Sequence, residues 1–123
     1  MVVYLVGVGP EADLLTLRGA KLIENAEVII YTELGTRDIL KLAKNPNCEI
    51  LDAGKDDKDT QRKLVANYFQ GERKKLVVRL IQGDPFSSLE GTAEVQYLVQ
   101  NNIPFEIVPG VMSLLSALSM AGI

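Results

Sequence analysis

Three short glycine-containing segments are the parts of this sequence best suited to hold a ligand. They comprise residues 7–10, 83–85 and 109–110, and each follows a run of apolar residues. Glycine lets the backbone turn sharply and lets another molecule approach closely, because it has no side chain. The second segment contains Asp84, whose carboxylate could accept hydrogen bonds from ribose hydroxyls or from an ammonium group. These residue types predict a site for a flat or extended polar molecule.

The elements that must position these segments have the pattern of five βα units. Short β-branched runs alternate with segments of helical periodicity, which is typical of a largely parallel sheet. The predicted strands cover residues 2–7, 27–31, 48–51, 76–80 and 105–108. The predicted helices cover residues 17–25, 36–43, 59–69, 92–100 and 112–120. The sequence therefore predicts an α/β domain of three layers, with about five mostly parallel strands and helices on both faces.

A parallel sheet would bring the three glycine segments to one place. The carboxyl ends of its strands lie on a single edge, and ligands bind in the crevice outside that edge. Residues 9–10, 83–84 and 110–113 each follow a different predicted strand. We therefore expect the three segments to line one cleft.

The first segment also matches a loose dinucleotide-binding fingerprint. Residues 7–12 have the form G-x-G-x-x-A, and Glu33 lies ~20 residues further on, as that fingerprint requires. The fingerprint works when a helix begins at the loop and directs its amides at a pyrophosphate. Here Pro10 lacks an amide hydrogen, and Thr16 is the predicted N-cap, which delays the helix. These features argue against a nicotinamide dehydrogenase. The alternative is that the glycines only allow a tight turn after the strand.

Composition argues against several classes of site. The chain has 13 basic and 16 acidic residues, with the basic ones scattered, so nucleic-acid binding is not expected. It has no histidine and a single cysteine, Cys48, so we expect no metal site, no Cys-His catalytic pair and no internal disulfide. The apolar amino terminus has no basic leader and is broken by Gly7, Gly9 and Pro10. We therefore expect neither a signal peptide nor a membrane span, and a cytoplasmic protein.

Three separated motifs closely resemble the tetrapyrrole methylases. They are V-Y-L-V-G-V-G-P with D-L-L-T-L-R-G-A-K-L-I, then V-V-R-L-x-x-G-D-P-F, then I-P-F-E-I-V-P-G-V-x-S. Members of this family transfer methyl groups from S-adenosylmethionine to ring carbons of a tetrapyrrole, on the routes to sirohaem and cobalamin. The resemblance is nearest to the branch that converts uroporphyrinogen III to precorrin-2. It identifies residues 1–123 as the amino-terminal α/β domain of the family, with the second domain expected to be absent from this chain.

The resemblance implies a set of residues around S-adenosylmethionine. Together with Gly9 from the loop argument, the predicted cofactor-binding residues are Gly9, Pro10, Gln82, Gly83, Asp84, Ser87, Met112 and Ser113. The resemblance also places Lys55 at a substrate-side or catalytic position, and an exposed loop lysine is the alternative. It implies no metal.

Two positions depart from the family pattern on the side of the methyl acceptor. The family has Y-D-x-L-V, with an aspartate suspected as a base, where this chain has Thr32, which cannot act as that base at neutral pH. Glu33 is the candidate substitute, although neighbouring strand residues point to opposite faces. An arginine of the family becomes Glu90, which would repel a carboxylate-rich substrate.

The resemblance implies that the chain forms the amino-terminal half of a methyltransferase site for a tetrapyrrole, with uroporphyrinogen III as the expected acceptor. The resemblance implies a homodimer in which the active site lies in a trough between two domains. We therefore expect a homodimer, and weak or no methyl transfer by the isolated domain. Two alternatives stay open. One is a later corrin precursor as the acceptor, and the other is a catalytically idle α/β domain that pairs with itself.

Overall fold

Strands and helices alternate along the residues that the computed structural model describes, which are 2–70 and 75–122. The strands are β1 (Val3–Val8), β2 (Val28–Tyr31), β3 (Glu49–Asp52), β4 (Val77–Gln82) and β5 (Phe105–Val108). The α-helices are α1 (Leu17–Asn25), α2 (Lys58–Gln70), α3 (Leu89–Gln100) and α4 (Ser113–Met120). Short 3-10 helices cover Ala12–Leu14, Asp38–Leu42 and Pro85–Ser87.

The strands form one sheet in the order β3-β2-β4-β1-β5, and every pair is parallel. The longest ladder joins β1 to β4, from Val3 opposite Val77 to Val8 opposite Gln82. Because all strands run in one direction, their carboxyl ends lie on one edge of the sheet. The prediction of a largely parallel sheet is confirmed.

Alternate side chains of the strands pack into two cores, one on each face of the sheet. On one face, Leu5 belongs to a buried cluster with Val65 of α2 and Leu98 of α3. On the other face, Val6 belongs to a buried cluster with Ile23 of α1. Strands covered on both faces need apolar residues at nearly every position, as the sequence pattern indicated. Helices on both faces confirm the predicted three layers.

Local chemistry sets the start of α1. The Thr16 side chain accepts a hydrogen bond from the Gly19 amide at 3.1 Å, so Thr16 is the N-cap that the sequence predicted. The glycine segment after β1 leads instead into the 3-10 helix Ala12–Leu14. The helix start that a dinucleotide-binding loop requires is therefore missing after β1.

The prediction of an α-helix over residues 36–43 is wrong. Residues Asp38–Leu42 form a 3-10 helix, in which Ile39 is the buried residue. One buried side chain offers little packing, and most helical stability in proteins comes from the burial of an apolar face. This segment therefore forms a short 3-10 helix instead of an α-helix.

Two further boundaries differ from the prediction. Strand β4 runs two residues beyond its predicted end, because Gln82 still pairs with β1. Helix α3 begins at Leu89 rather than at residue 92, because the Ser88 side chain accepts a hydrogen bond from the Gly91 amide at 2.9 Å. The other strand and helix boundaries agree with the prediction to within one residue.

Helix α4 presents apolar side chains to solvent. Leu114, Leu115 and Met120 are each more than half exposed, while Ser116 is buried. A surface helix ordinarily turns its apolar residues towards the core, so α4 has the opposite arrangement. Among residues 2–70 and 75–122, the structure has no helix with the length and apolar character needed to cross a membrane.

Candidate functional site

The backbones of the three glycine segments touch one another at the carboxyl edge of the sheet. A Cβ atom on Gly7 would lie 2.5 Å from the Gly83 carbonyl oxygen and 2.6 Å from the Gly110 nitrogen. Glycine is therefore required here, because there is no room for a side chain between these backbones. The expected meeting of the three segments is confirmed, with Gly7 rather than Gly9 at the contact. We call Gly7, Gly83 and Gly110 the glycine contact.

The carboxylate of Asp84 ties two of the three segments together. Its Oδ1 accepts a hydrogen bond from the Gly110 amide at 3.1 Å. Its Oδ2 accepts from the Phe86 amide at 3.1 Å and from the Ser87 hydroxyl at 3.4 Å. A carboxylate has about four acceptor positions, so Asp84 retains capacity for a ligand while it holds the loop in place.

Gln82 links the end of β4 to the loop after β2. Its Oε1 accepts a hydrogen bond from the Gly35 amide at 2.7 Å, and its Nε2 donates to the Val8 carbonyl at 3.4 Å. The Gly35 loop also runs close to Pro10, since a Cβ on Gly35 would lie 3.2 Å from the Pro10 carbonyl oxygen. Gln82 therefore ties the loop after β2 to the end of β1, close to Pro10.

A cavity of about 160 Å³ opens at the glycine contact. Its lining consists of Gln82, Gly83, Asp84, Ser87, Ser88 and Met112. Five of the predicted cofactor-binding residues are thus brought together. Of the others, Gly9 is buried against Leu14, Pro10 lies in the neighbouring loop, and the side chain of Ser113 lies outside the described part of the chain. Pockets for small molecules commonly measure roughly 300–1,000 Å³, so this cavity would hold part of such a ligand.

A second cavity, of about 410 Å³, lies at the carboxyl ends of β2 and β3. It is lined by Thr32, Glu33, Gly54, Lys58, Gln61 and Glu90. Of the two predicted catalytic residues, Glu33 lines this cavity and is exposed. Lys55 is exposed in the turn before α2 and does not contribute to the lining, whereas Lys58 does.

A buried arginine connects the walls of this second cavity. Arg79 is fully buried, and its Nε donates to Glu94 at 3.1 Å, its Nη1 to the Leu80 carbonyl at 2.7 Å, and its Nη2 to Glu90 Oε1 at 2.6 Å. The Thr32 hydroxyl donates to the same Glu90 oxygen. The two positions that depart from the family pattern, Thr32 and Glu90, are therefore in direct contact. We call Arg79, Thr32, Glu90 and Glu94 the arginine cluster.

The arginine cluster keeps Glu90 charged. Burial raises the pKa of Glu90, but the hydrogen bond from Thr32 and the positive charge of Arg79 outweigh burial and hold that pKa below its ordinary range. Glu94 Oε2 is buried and has no hydrogen-bond partner among the described residues. A single guanidinium thus serves two carboxylates.

Sequence reasoning missed Arg79, although the sequence contains a signal for it. Arg79 is the lone charged residue in the apolar run 77–81, and a charged side chain in a buried strand needs a partner. Glu90 and Glu94 lie four residues apart, and therefore on one side of a helix. The pattern does not encode which strand faces that helix, so the partners could not be assigned.

The sequence is similar to those of known methyltransferases. Residues 2–123 match the sequence profile of the family Tetrapyrrole (Corrin/Porphyrin) Methylases. Uroporphyrinogen-III C-methyltransferase of Bacillus subtilis (strain 168) is 42% identical over 126 residues, which cover 98% of this chain and 49% of that protein. The chain therefore spans about half the length of this relative.

Two solved structures share the fold. Uroporphyrin-III C-methyl transferase from Thermus thermophilus, complexed with S-adenosylhomocysteine, superposes with a TM-score of 0.80 at 37% identity, over 95% of this chain and 48% of that one. Cobalt precorrin-4 methyltransferase superposes with a TM-score of 0.83 at 28% identity, over 98% of this chain and 50% of that one. The three motifs, the parallel sheet and these matches lead to one conclusion: the chain belongs to the tetrapyrrole (corrin/porphyrin) methylase family.

Proposed function

We propose that this chain forms the amino-terminal half of an S-adenosylmethionine-dependent C-methyltransferase site for a tetrapyrrole. The observation that carries the proposal is the glycine contact, which brings Gly83 and Asp84 to the carboxyl edge of the sheet beside Met112. The relative from Bacillus subtilis is a uroporphyrinogen-III C-methyltransferase, which supports uroporphyrinogen III as the acceptor and precorrin-2 as the product. The biosynthetic role of such relatives supports the cytoplasm as the compartment.

The loop after β4 fits the cofactor. Gly83 has a φ of 82°, and a Cβ placed on it would meet no atom of residues 2–70 and 75–122 within 4 Å, so its backbone borders open space. A flat or extended molecule could lie against that backbone. The adjacent Asp84 could accept hydrogen bonds from its ribose hydroxyls or ammonium group. We propose that Gly9, Pro10, Gln82, Ser87, Met112 and Ser113 complete this side of the site.

The chemistry requires orientation more than covalent catalysis. When bound, S-adenosylmethionine supplies a methyl group on a positively charged sulfur. The transfer would form a carbon–carbon bond to a nucleophilic ring carbon of the acceptor and break the sulfur–methyl bond, whose electron pair would stay on sulfur, and the acceptor would then lose a proton. Holding the two reactants in line is a large part of such catalysis. We propose Glu33 as the proton acceptor, because it lines the second cavity, and Lys55 as a residue that contacts the acceptor.

We further propose that a second domain, outside residues 1–123, completes the site. The cavity at the glycine contact is small for S-adenosylmethionine, and the exposed leucines of α4 suit a covering surface. The resemblance also supports a homodimer. We therefore expect methyl transfer by the 123-residue chain alone to be weak or undetectable, and a normal rate of turnover would contradict this view.

Titration of the chain with S-adenosylhomocysteine, followed through backbone amide resonances, tests the proposed cofactor site. We expect the amides of Gly9, Gly83, Asp84 and Met112 to shift at millimolar ligand, and the amides of β3 to stay unchanged. NADH is the matched control, because a dinucleotide-binding loop would respond to it. Unshifted Gly83 and Asp84 amides would contradict the proposed function and favour an idle domain.

A later corrin precursor is the second candidate acceptor. The contact between Thr32 and Glu90 favours it, since both residues depart from the family pattern on the wall of the same cavity. A version of the protein with its second domain, assayed with uroporphyrinogen III and with precorrins in parallel, would separate the two acceptors. Faster methylation of a precorrin would make it the substrate.

A further inference from the structure

Glu90 is held so that half of its carboxylate is available to a ligand. Its side chain lines the second cavity and is 30% exposed. Oxygen Oε1 accepts hydrogen bonds from both Thr32 and Arg79, which fix the side chain. Oxygen Oε2 accepts no hydrogen bond from the described part of the chain, and it is not fully buried. Because the Glu90 side chain lines the cavity and is partly exposed, a ligand there could reach its carboxylate.

The charges around this cavity leave a negative excess. Glu33 and Glu90 line the cavity, and Lys58 supplies the positive charge of the lining. Arg79 cannot neutralise Glu90 completely, because it is buried and also pairs with Glu94 at 3.1 Å. Like charges that face one cavity repel each other, and hydrogen-bond donors or cations offset that repulsion. The cavity therefore favours a group that donates hydrogen bonds.

We infer that Glu90 determines how the methyl acceptor is selected and oriented: it accepts a hydrogen bond from an N–H group of the acceptor and disfavours a carboxylate at the same place. This inference rests on the proposed function. Hydrogen bonds to a charged acceptor are among the stronger ones in proteins, and two carboxylates at close range repel each other. An acceptor such as uroporphyrinogen III then has its ring N–H groups towards Glu90 and its carboxylates turned away from it.

Two porphyrins that differ in carboxylate number test the inference on the version of the protein with its second domain. Uroporphyrin III and coproporphyrin III have the same ring N–H groups, and the second has fewer carboxylates. Their dissociation constants would be measured by absorbance with S-adenosylhomocysteine at saturation. We expect Glu90→Arg to shift the affinity ratio by about tenfold in favour of uroporphyrin III, and Glu90→Gln by about threefold in the same direction.

The loss of the acceptor oxygen is tested separately from the loss of charge. Glu90→Leu should weaken coproporphyrin III binding by about tenfold, whereas Glu90→Gln, which keeps an acceptor oxygen, should weaken it by less than about threefold. Glu106→Arg makes the same charge change on the exposed face of β5, an edge strand, and should leave both affinities unchanged.

The outcomes distinguish this inference from the proposed function. An unchanged ratio in Glu90→Arg and Glu90→Gln, or full coproporphyrin III affinity in Glu90→Leu, would overturn the inference while S-adenosylhomocysteine still binds. Circular dichroism would show whether each variant is folded, and Glu90→Gln decides the ratio if Glu90→Arg is not. If S-adenosylhomocysteine does not bind the unmodified version with its second domain, the proposed function fails and the inference fails with it.

Discussion

The glycine contact and the arginine cluster are neighbours along the chain, since Arg79 lies in β4 and Gly83 directly follows that strand, yet they are held together by different forces. In the glycine contact, Gly7, Gly83 and Gly110 pack backbone against backbone, and the absence of side chains makes the contact possible. In the arginine cluster, Arg79 and Glu90 meet through charged side chains that reach from a strand and a helix. Steric exclusion sets the first region, and charge balance sets the second.

This difference affects how freely residues can be exchanged on the proposed cofactor side and on the acceptor side of the site. No side chain larger than hydrogen fits at Gly7 or Gly110, and Gly83 has a positive φ that favours glycine, so the proposed cofactor side has little freedom. The arginine cluster can exchange its members as long as donors and acceptors still match, and Thr32 with Glu90 forms such a matched pair. We therefore expect acceptor preference to change more readily than cofactor preference in this fold.

The largest effect is expected from Arg79→Met. This change leaves Glu90 and Glu94 near each other without their common partner, and removing one member of a buried ion pair costs about 3–5 kcal/mol. The free energy of unfolding in urea would measure the loss. Adding Glu94→Leu to Arg79→Met should recover part of it, because the unpaired buried charge is then gone. A double variant no more stable than the single one would show that charge balance does not hold this region together.

A slightly smaller loss is expected from Gly7→Ala. The new Cβ would lie 2.5 Å from the Gly83 carbonyl oxygen, and backbone atoms cannot move aside as side chains do, so we expect a loss of about 3 kcal/mol. Gly35→Ala is the matched control, because its Cβ would meet the nearest atom at 3.2 Å. Urea denaturation should show a clearly smaller loss for the control. Equal losses would mean that steric exclusion is not what distinguishes the glycine contact.

Gly83→Ala should affect ligand binding more than stability. Its Cβ would meet no atom within 4 Å in the described part of the chain, so the expected cost is about 1–2 kcal/mol for a positive φ. The same Cβ would enter the space that we assign to the cofactor, and S-adenosylhomocysteine affinity should fall by about tenfold or more. Calorimetric titration would measure the affinity. An unchanged affinity would place the ligand away from the Gly83 backbone.

The smallest effect is expected in the pH dependence of stability. The pKa of Glu90 lies below its ordinary value of 4.5 in the folded chain. Its ionised form therefore stabilises the fold above the unfolded pKa, and this stabilisation is lost as the pH falls through the lower folded pKa. Comparing urea denaturation of the unmodified chain and of Glu90→Gln between pH 7 and pH 3 should show a smaller decline for the variant. Parallel declines would indicate that Glu90 does not contribute.

Local signals in the sequence predicted much of the fold and part of the candidate site. The Thr16 cap set the start of α1, and the apolar runs before the glycines identified the strands. Five predicted cofactor-binding residues line one cavity, because the ends of parallel strands must share an edge. The helix expected over residues 36–43 failed, since its pattern does not reveal how little of it would be buried.

What the sequence determined by itself is the set of elements and the positions of the glycine segments, because capping, periodicity and turns depend on neighbouring residues. Only the tertiary structure decided that Gly7 rather than Gly9 lies against Gly83 and Gly110, and that Thr32 contacts Glu90, which lies 58 residues away. These contacts follow from the strand order, which places β4 between β2 and β1. Strand order depends on how distant segments pack against each other, and no local pattern of residues specifies it.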